Sequence, residues 1–553
     1  MMDFHSDPYI AEQQIRAVVY CLVAFAYIDS DFALSEKEFI RDYLHRLADG
    51  RARKALGDDI PRDDIVGKWT KHYHEVLEEY DESIRSNFTE SVAEGETTQQ
   101  FVLARLKLGC FELLRHFDDN GQRQILDTVL ELMHADGVVQ PQEQAFIDEI
   151  IELIHKPIEL DDADIEDVEA GSVIVQEAQN LSPKVPNHPW FNRFEWDYAR
   201  DKATFDIQSA TDMDLVDDVR ALFDKQREKG AGKLAGKQHF NELEGEDPFL
   251  DGYVYVAHPK RGRDYELLVI GDLHGCYSCL KAALLQADVL SKVQKSIDDP
   301  KAPMMYVVLL GDYIDRGRFS YSGTLRTVLQ LFLNMPNNVF VLRGNHEFYV
   351  ELRGRVVAPV RPCEAMDSIA NVADNAVFKK YMELFQSMPS MLVFGDVLFV
   401  HAGIPRTDTF ELKYKDLSSL NDPELRFQMM WSDPSEADVV PVELQRENAR
   451  FPFGQKQFQH FMAKVGLKTM VRGHERIKSG MAKIYDDPKG MLVSLFSAGG
   501  ATNDDLPTSS NYRQVTPVAL TIRYAGGVIN MQPFVIDYER YNDPKYNAFF
   551  KAS

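Results

Sequence analysis

Through the first 155 residues, apolar side chains recur at helical spacing. Ile15, Val18, Val19, Leu22, Val23, Phe25 and Ala26 trace one broad face, and Phe101, Val102, Leu106, Phe111, Leu113 and Leu114 repeat the style, as do Ile125, Val129 and Leu132. No convincing strand run interrupts them, so residues 1–158 are expected to form an all-helical domain. After about residue 248 the pattern changes. Leu267–Ile270, Val307–Leu310, Val339–Leu342, Val397–Val400 and Met470–Val471 are short runs of mostly branched apolar residues, as in strands buried on both faces. Gly395-Asp396 and Gly526-Gly527 each divide two such runs and predict hairpins. Between the halves, residues 159–247 read as a linker. It has an acidic run from Leu160 to Glu169, prolines between Pro183 and Pro189, and a Gly–Lys stretch from Lys229 to Lys237 that is expected to be flexible and exposed. Phe191, Phe194, Trp196 and Tyr198 within it should pack on something, as core or as a docking segment. The fold class expected is multidomain, α followed by α/β.

The polar residues that end the apolar runs carry the candidate chemistry. The segments are Gly271-Asp272-Leu273-His274-Gly275, Gly311-Asp312-Tyr313-Ile314-Asp315-Arg316-Gly317, Gly344-Asn345-His346-Glu347, His401-Ala402-Gly403 and Arg472-Gly473-His474. Strand ends are where an open α/β sheet gathers a site from distant parts of the chain. Carboxylate and amide oxygens suit hard divalent cations, and imidazole suits Mn, Fe and Zn. Asp272, His274 and Asp312 are candidates for one ion. Asp312, Asn345, His401 and His474 are candidates for a second, with Asp312 as the bridge. Two ions about 3.5–4 Å apart can clamp an in-line phosphoryl displacement and generate hydroxide from a bridging water. Any one segment alone is weak evidence, since polar residues at strand ends are common. Five in this order are a strong signal.

These segments resemble the PPP-type metallophosphatases, the calcineurin-like branch that contains the Ser/Thr protein phosphatases. The resemblance covers about residues 265–525. It implies a layered β-sandwich flanked by helices over a catalytic domain of residues 248–540, and two divalent metal ions, Mn²⁺ first with Fe or Zn as alternatives. The six residues above become metal ligands, and a metal-bridging hydroxide attacks phosphorus directly. His346 is implied as general acid and Asp315 as the group that orients it. Arg316 and Asn345 would hold phosphate, a task suited to a permanently charged fork in the case of Arg316. Trp431-Ser432-Asp433-Pro434 also matches, placing Asp433 beside the ligands. The implied function is a phosphoserine/phosphothreonine protein phosphatase with a phosphoprotein substrate. Cys276-Tyr277 and His401-Ala402-Gly403-Ile404-Pro405 look more like dinucleoside polyphosphate (diadenosine tetraphosphate) hydrolases, the alternative reading. A catalytically dead scaffold is the third, and it would predict missing ligands.

The chain departs from the family pattern in places. The second phosphate-binding Arg precedes a Phe-Gly pair in the family; Phe453-Gly454 is preceded here by Arg446 and Arg450, with altered spacing, and Arg450 is the candidate. Where the eukaryotic enzymes carry Ser-Ala-Pro-Asn-Tyr, this chain has Ser497-Ala498-Gly499-Gly500-Ala501, and Tyr512 lies too far downstream to be assumed a replacement. Gly473-His474 is followed by Glu475 and Arg476, so the extra His of other metallophosphoesterases is missing, as in the PPP branch.

Composition adds organisation. At 553 residues the chain exceeds the roughly 250–300 residues of a single core. Its net charge of −26 divides into −15 over residues 1–150, −12 over 151–250 and +1 over 251–553. The acidic first half argues against nucleic acid or anionic membrane as its partners and allows a basic protein or a cation as a regulatory partner. Five cysteines without a framework of close pairs suit a reducing, cytoplasmic compartment, with Cys276 and Cys279 as buried structural thiols. No run approaches about 18 apolar residues, so no membrane span is expected, and Ala17–Ile28 reads as a buried helix. Asp29 to Glu38 and Ala135 to Glu143 resemble each other, an Asp-containing turn after an apolar helix and before another. That pattern resembles TerB-like helical domains. Asp29, Asp31 and Asp136 could sense a cation there, against helix capping and turn chemistry as the plainer alternative.

Overall fold

The computed structural model describes residues 5, 7–29, 32–56, 62–93, 95–133, 141–156, 160, 165 and 173–551. Two compact units emerge. The first comprises residues 1–159 and 435–452, the second residues 160–434 and 453–553.

The first unit is helical, as its periodicity predicts. Its elements are α1 (Pro8–Ala26), α2 (Leu34–Leu56), α3 (Asp63–Asn87), α4 (Thr98–Leu114), α5 (Asp119–Met133) and α6 (Pro141–Ile154). Asp7 caps α1 by accepting from the Tyr9 amide at 2.8 Å, with Pro8 in the first turn, where its missing N–H costs nothing. α1 buries Ile15, Val18, Val19, Leu22 and Val23 and packs against α3, α4 and α5, so the segment read as a buried helix is the centre of this unit. Asp81, buried on α3, is matched by Lys37 Nζ at 2.6 Å and Arg85 Nε at 3.0 Å, and accepts from the Tyr27 hydroxyl. The two similar turns fall partly on Asp31 and residues 134–140, which lie outside the described residues. Residues 435–452 belong to this unit by packing: Ala437, Val440 and Leu444 join Leu108, Phe111 and Leu153 in one apolar cluster.

The second unit stacks two sheets. In the first, strands Tyr265–Ile270, Met304–Leu309 and Val339–Val341 run parallel, and strand Val518–Ala525 pairs antiparallel with the first of them. The second sheet centres on Val397–Val400, Thr469–Arg472 and Gly490–Leu495, which are parallel. Both expected hairpins form, turning at Gly395 (φ 56°) and at Gly526-Gly527 (φ 58° and 85°). All five apolar runs identified in the sequence are strands to within three residues. A bridge between Asp272 and Phe496 brings the C-terminal ends of the two sheets together, and this junction positions the site.

The segment read as a linker is more ordered than its composition suggests. It supplies α7 (Lys202–Gly230), whose Phe205, Val216, Val219 and Phe223 are buried against helices Arg326–Asn334 and Asn375–Ser387. The Gly–Lys stretch is not a free loop. Leu234 is buried, its amide donates to Asp251 Oδ2 at 2.9 Å, and the Gly236 amide donates to Asp416 Oδ2 at 2.8 Å. The aromatic cluster packs into the core around Arg326. That guanidinium stacks 3.3 Å over Trp196, donates to the Trp196 carbonyl at 2.6 Å and pairs with buried Asp212 at 2.7 Å. Arg326→Met leaves the Asp212 carboxylate buried without its cation, a change that costs about 3–5 kcal/mol. Urea unfolding of the variant is expected to show the second unit's midpoint falling accordingly.

Candidate metal centre

Each expected ligand sits at or just past the C-terminal end of a strand, and several do so in a backbone conformation that side chains resist. Seven described residues other than glycine have positive φ. Five of them belong to these segments: His274 (43°), Asp312 (53°), Asp315 (67°), Arg316 (63°) and His474 (72°). Such strain, of order 1–3 kcal/mol per residue, persists only where surrounding contacts over-determine it. Glu347 is the main one. Its buried carboxylate accepts from the Asp312 and Gly344 amides at 2.8 and 3.0 Å through one oxygen, and from Tyr313 at 2.9 Å through the other. Glycine lets the loops close this tightly. A Cβ at Gly344 would lie 2.2 Å from Asp312 Oδ1, and one at Gly473 2.2 Å from Asp272 Oδ1.

The side chains converge on one buried cluster. Ligand atoms of His274, Asp312 and His346 lie within 4.8 Å of one another, and so do those of Asp312, His401 and His474, which makes Asp312 the member common to both groups. Asp272 adjoins the first group, its Oδ2 3.7 Å from His274 Nε2. The Asn345 amide adjoins the second, 3.0 Å from His401 Nε2 and 3.2 Å from His474 Nδ1. Backbone carbonyls fix the imidazoles. His274 Nδ1 is 3.0 Å from the Ile314 oxygen and His401 Nδ1 3.1 Å from the Leu310 oxygen, which turns both Nε2 atoms toward Asp312, at 3.4 and 3.5 Å. Second contacts of this kind orient a ligand and set its tautomer.

The electrostatics call for a cation. Burial pushes the Asp272 carboxyl up to about 7 and Asp312 well above the usual carboxylate range, and drives His274 and His401 well below ordinary imidazole values. The imidazoles are therefore neutral, with lone pairs available, while the carboxylates lack compensating charge. Asp272 Oδ2 is buried and takes part in no hydrogen bond. Such an atom carries a desolvation penalty that a divalent ion would remove. The donor set of carboxylate, imidazole and amide suits Mn, Fe or Zn.

Around this cluster, His346 Nδ1 lies 2.7 Å from Asp315 Oδ2, while Asp315 Oδ1 accepts from the Ala365 amide at 2.8 Å. Arg316 faces Glu364, Nη1 to Oε1 at 3.6 Å. Asp433 is fully buried, 2.8 Å from Arg472 Nη2 and 3.7 Å from His474 Nε2. Arg450 lies in segment 435–452, grouped with the first unit, where its Nη1 meets Glu90 Oε2 at 2.9 Å. Tyr512, discounted on sequence distance, is beside the cluster after all. A 3₁₀ turn at Asn511–Gln514 sets its ring 5.3 Å from His274 and 5.2 Å from Phe496. Glu347 and Glu364 were also passed over as site residues. The first was visible as the last residue of the Gly-Asn-His-Glu block; nothing in the sequence singled out the second.

Residues 265–476 match the family model described as calcineurin-like phosphoesterase. A probable serine/threonine-protein phosphatase of Encephalitozoon cuniculi is 26% identical over 270 residues, 46% of this chain and 51% of that protein, so the chain spans about half the length of this relative. Among solved structures, a protein serine/threonine phosphatase from Saccharomyces cerevisiae is 18% identical, covering 59% of this chain and 90% of its own, with a TM-score of 0.37. A cold-active protein-tyrosine phosphatase of a psychrophilic Shewanella is 17% identical over 50% of this chain and 82% of its own, with a TM-score of 0.30.

Mn²⁺ added to chelator-treated protein is expected to raise its thermal midpoint. Saturation at a hundredfold excess over Kd stabilises by about 2.7 kcal/mol. In Asp312→Asn, which removes the ligand common to both groups, the rise should largely vanish in a fluorescence melt. The strand-end ligand candidates thus fall within the same residues, 265–476, that match the calcineurin-like phosphoesterase model.

Proposed function

We propose that this chain is a dinuclear-metal phosphoric monoester hydrolase acting on phosphoserine or phosphothreonine in proteins. The observation that carries the reading is the position of Asp312, shared by two groups of ligand atoms each within 4.8 Å. The relative named as a probable serine/threonine-protein phosphatase supports the substrate class. Asp272, His274 and Asp312 would hold one divalent cation, and Asp312, Asn345, His401 and His474 the other, Mn²⁺ being the first candidate. When bound, the pair supplies Lewis acidity and a nucleophile from water at neutral pH.

The chain's own residues do the rest. Arg316 and Asn345 bind the phosphate oxygens, and the phosphate displaces Glu364 from Arg316, a carboxylate partner that phosphate can replace in kind. His346, its Nδ1 held by Asp315, delivers a proton from Nε2 to the leaving oxygen. The Ala365 amide keeps Asp315 aimed at that ring. Asp433 holds Arg472 beside His474 and so orients a ligand without touching the substrate.

His346→Asn is expected to lower kcat on an aryl phosphate by about 10²–10⁴-fold, the usual contribution of a positioned general acid, while the thermal midpoint stays near that of the parent. Wild-type turnover by this variant would remove His346 from the chemistry. With Mn²⁺ present, a phosphothreonine peptide should be hydrolysed and diadenosine tetraphosphate should not. The opposite preference would replace the monoester reading with phosphoanhydride hydrolysis.

A further inference from the structure

The second unit holds a cavity of about 330 Å³ at the opposite end of its first sheet, where the strands begin. Tyr265 opens one strand and Met304 the next, and the two are paired in register. The metal ligands follow the other ends of the same strands. At about 3.3 Å per residue, the six residues of Tyr265–Ile270 put roughly 17 Å between the two ends. The cavity therefore serves no substrate bound at the metal ligands.

Its walls are aromatic. The rings of Tyr255, Tyr265, Tyr306 and Phe340 form a contiguous set, with Tyr306 5.6 Å from Tyr265, and Phe340 5.2 Å from both Tyr306 and Tyr255. Two of the hydroxyls have other work. Tyr255 donates to Gln226 at 2.6 Å, and Tyr265 accepts from the Lys260 amide at 3.0 Å. Those bonds hold the rings in place, so the wall presents faces and edges in one arrangement. A volume of this size suits a ring system of one or two rings.

Its charge is the reverse of the chain's. Lys229, Lys260 and Arg263 line the cavity against a single acid, Asp247, which pairs with Lys260, whereas the chain as a whole carries −26. Arg263 Nε is buried and has no hydrogen-bond partner, although an arginine N–H removed from water without an acceptor is costly. An aromatic wall beside an unsatisfied guanidinium donor is a recognition pattern for an aromatic anion. The geometry points to a binding site for a small molecule with a planar apolar body and one anionic group, an aryl sulfonate, carboxylate or phosphate. The rings would stack on the body, and Arg263, assisted by Lys229, would take the anion.

Isothermal titration of the full chain with 2-naphthalenesulfonate, and with 2-naphthol as its uncharged counterpart, tests this. The sulfonate is expected to bind one to one and about tenfold more tightly than the naphthol, the worth of one charge-assisted hydrogen bond. Arg263→Met should remove that tenfold advantage and leave naphthol binding as it was. Arg316→Met, altered among the candidate phosphate-binding residues, should leave both unchanged, so the outcome does not depend on the phosphatase reading. If Arg263→Met does not fold, judged by its thermal melt, the surface change Lys229→Met is read for a loss of at least twofold. Absence of one-to-one sulfonate binding overturns the proposal. So does equal affinity for the two compounds, or a sulfonate affinity that falls with Arg316→Met but not with the cavity variants.

Discussion

The strand-end cluster turns on one buried carboxylate that is not itself among the ligand candidates. Glu347 gathers backbone amides from the Asp312 and Gly344 loops, and these loops end different strands. Without an acceptor, those N–H groups would face a dry interior and the left-handed residues beside them would relax. With it, Asp312 is pinned between both groups of ligand atoms, and its own Oδ1 accepts from the His346 amide at 3.0 Å. One acid thus couples a metal-ligand candidate, a general-acid candidate and the turn that carries Arg316. Burial pushes Glu347 itself up to about 7, and the nearby Asp315 adds to the rise, against the three amide donations that favour its charged form.

The same burial explains why the cluster is built as it is. Carboxylates and imidazoles excluded from water are poor company for one another, and the sequence spends six of them within a few ångströms. Hydrogen bonds to main-chain carbonyls leave His274 and His401 one nitrogen each for a cation, and Asp272 keeps one oxygen in reserve. The arrangement is stable on its own terms only at the cost of protonated acids. Divalent charge reverses that balance, which is the physical link between the fold and a metal-dependent reaction.

Much of this was legible in the sequence because it is local. Apolar runs of two to four residues that lead into Gly-Asp, Gly-Asn, His or Gly-His pointed to the strands and the ligand types together, and helical periodicity to the first unit. What escaped was set by tertiary packing. α7 was hidden because its 29 residues are rich in acids and only a thin stripe, Phe205 to Phe223, is buried. Leu234 anchors a stretch whose glycines and lysines read as free chain. Tyr512 returns to His274 only through the turns after Gly499 and Gly500, whose φ of 155° and 111° no spacing rule anticipates.

Segment 435–452 has a wider implication. The chain passes between the two units three times, near residue 160 and on either side of this excursion. A helical module joined once could be cut away or exchanged as a cassette. This one is laced to its neighbour, and trimming residues 1–159 would strip the cover from Ala437, Val440 and Leu444 and leave a sticky loop on the remainder.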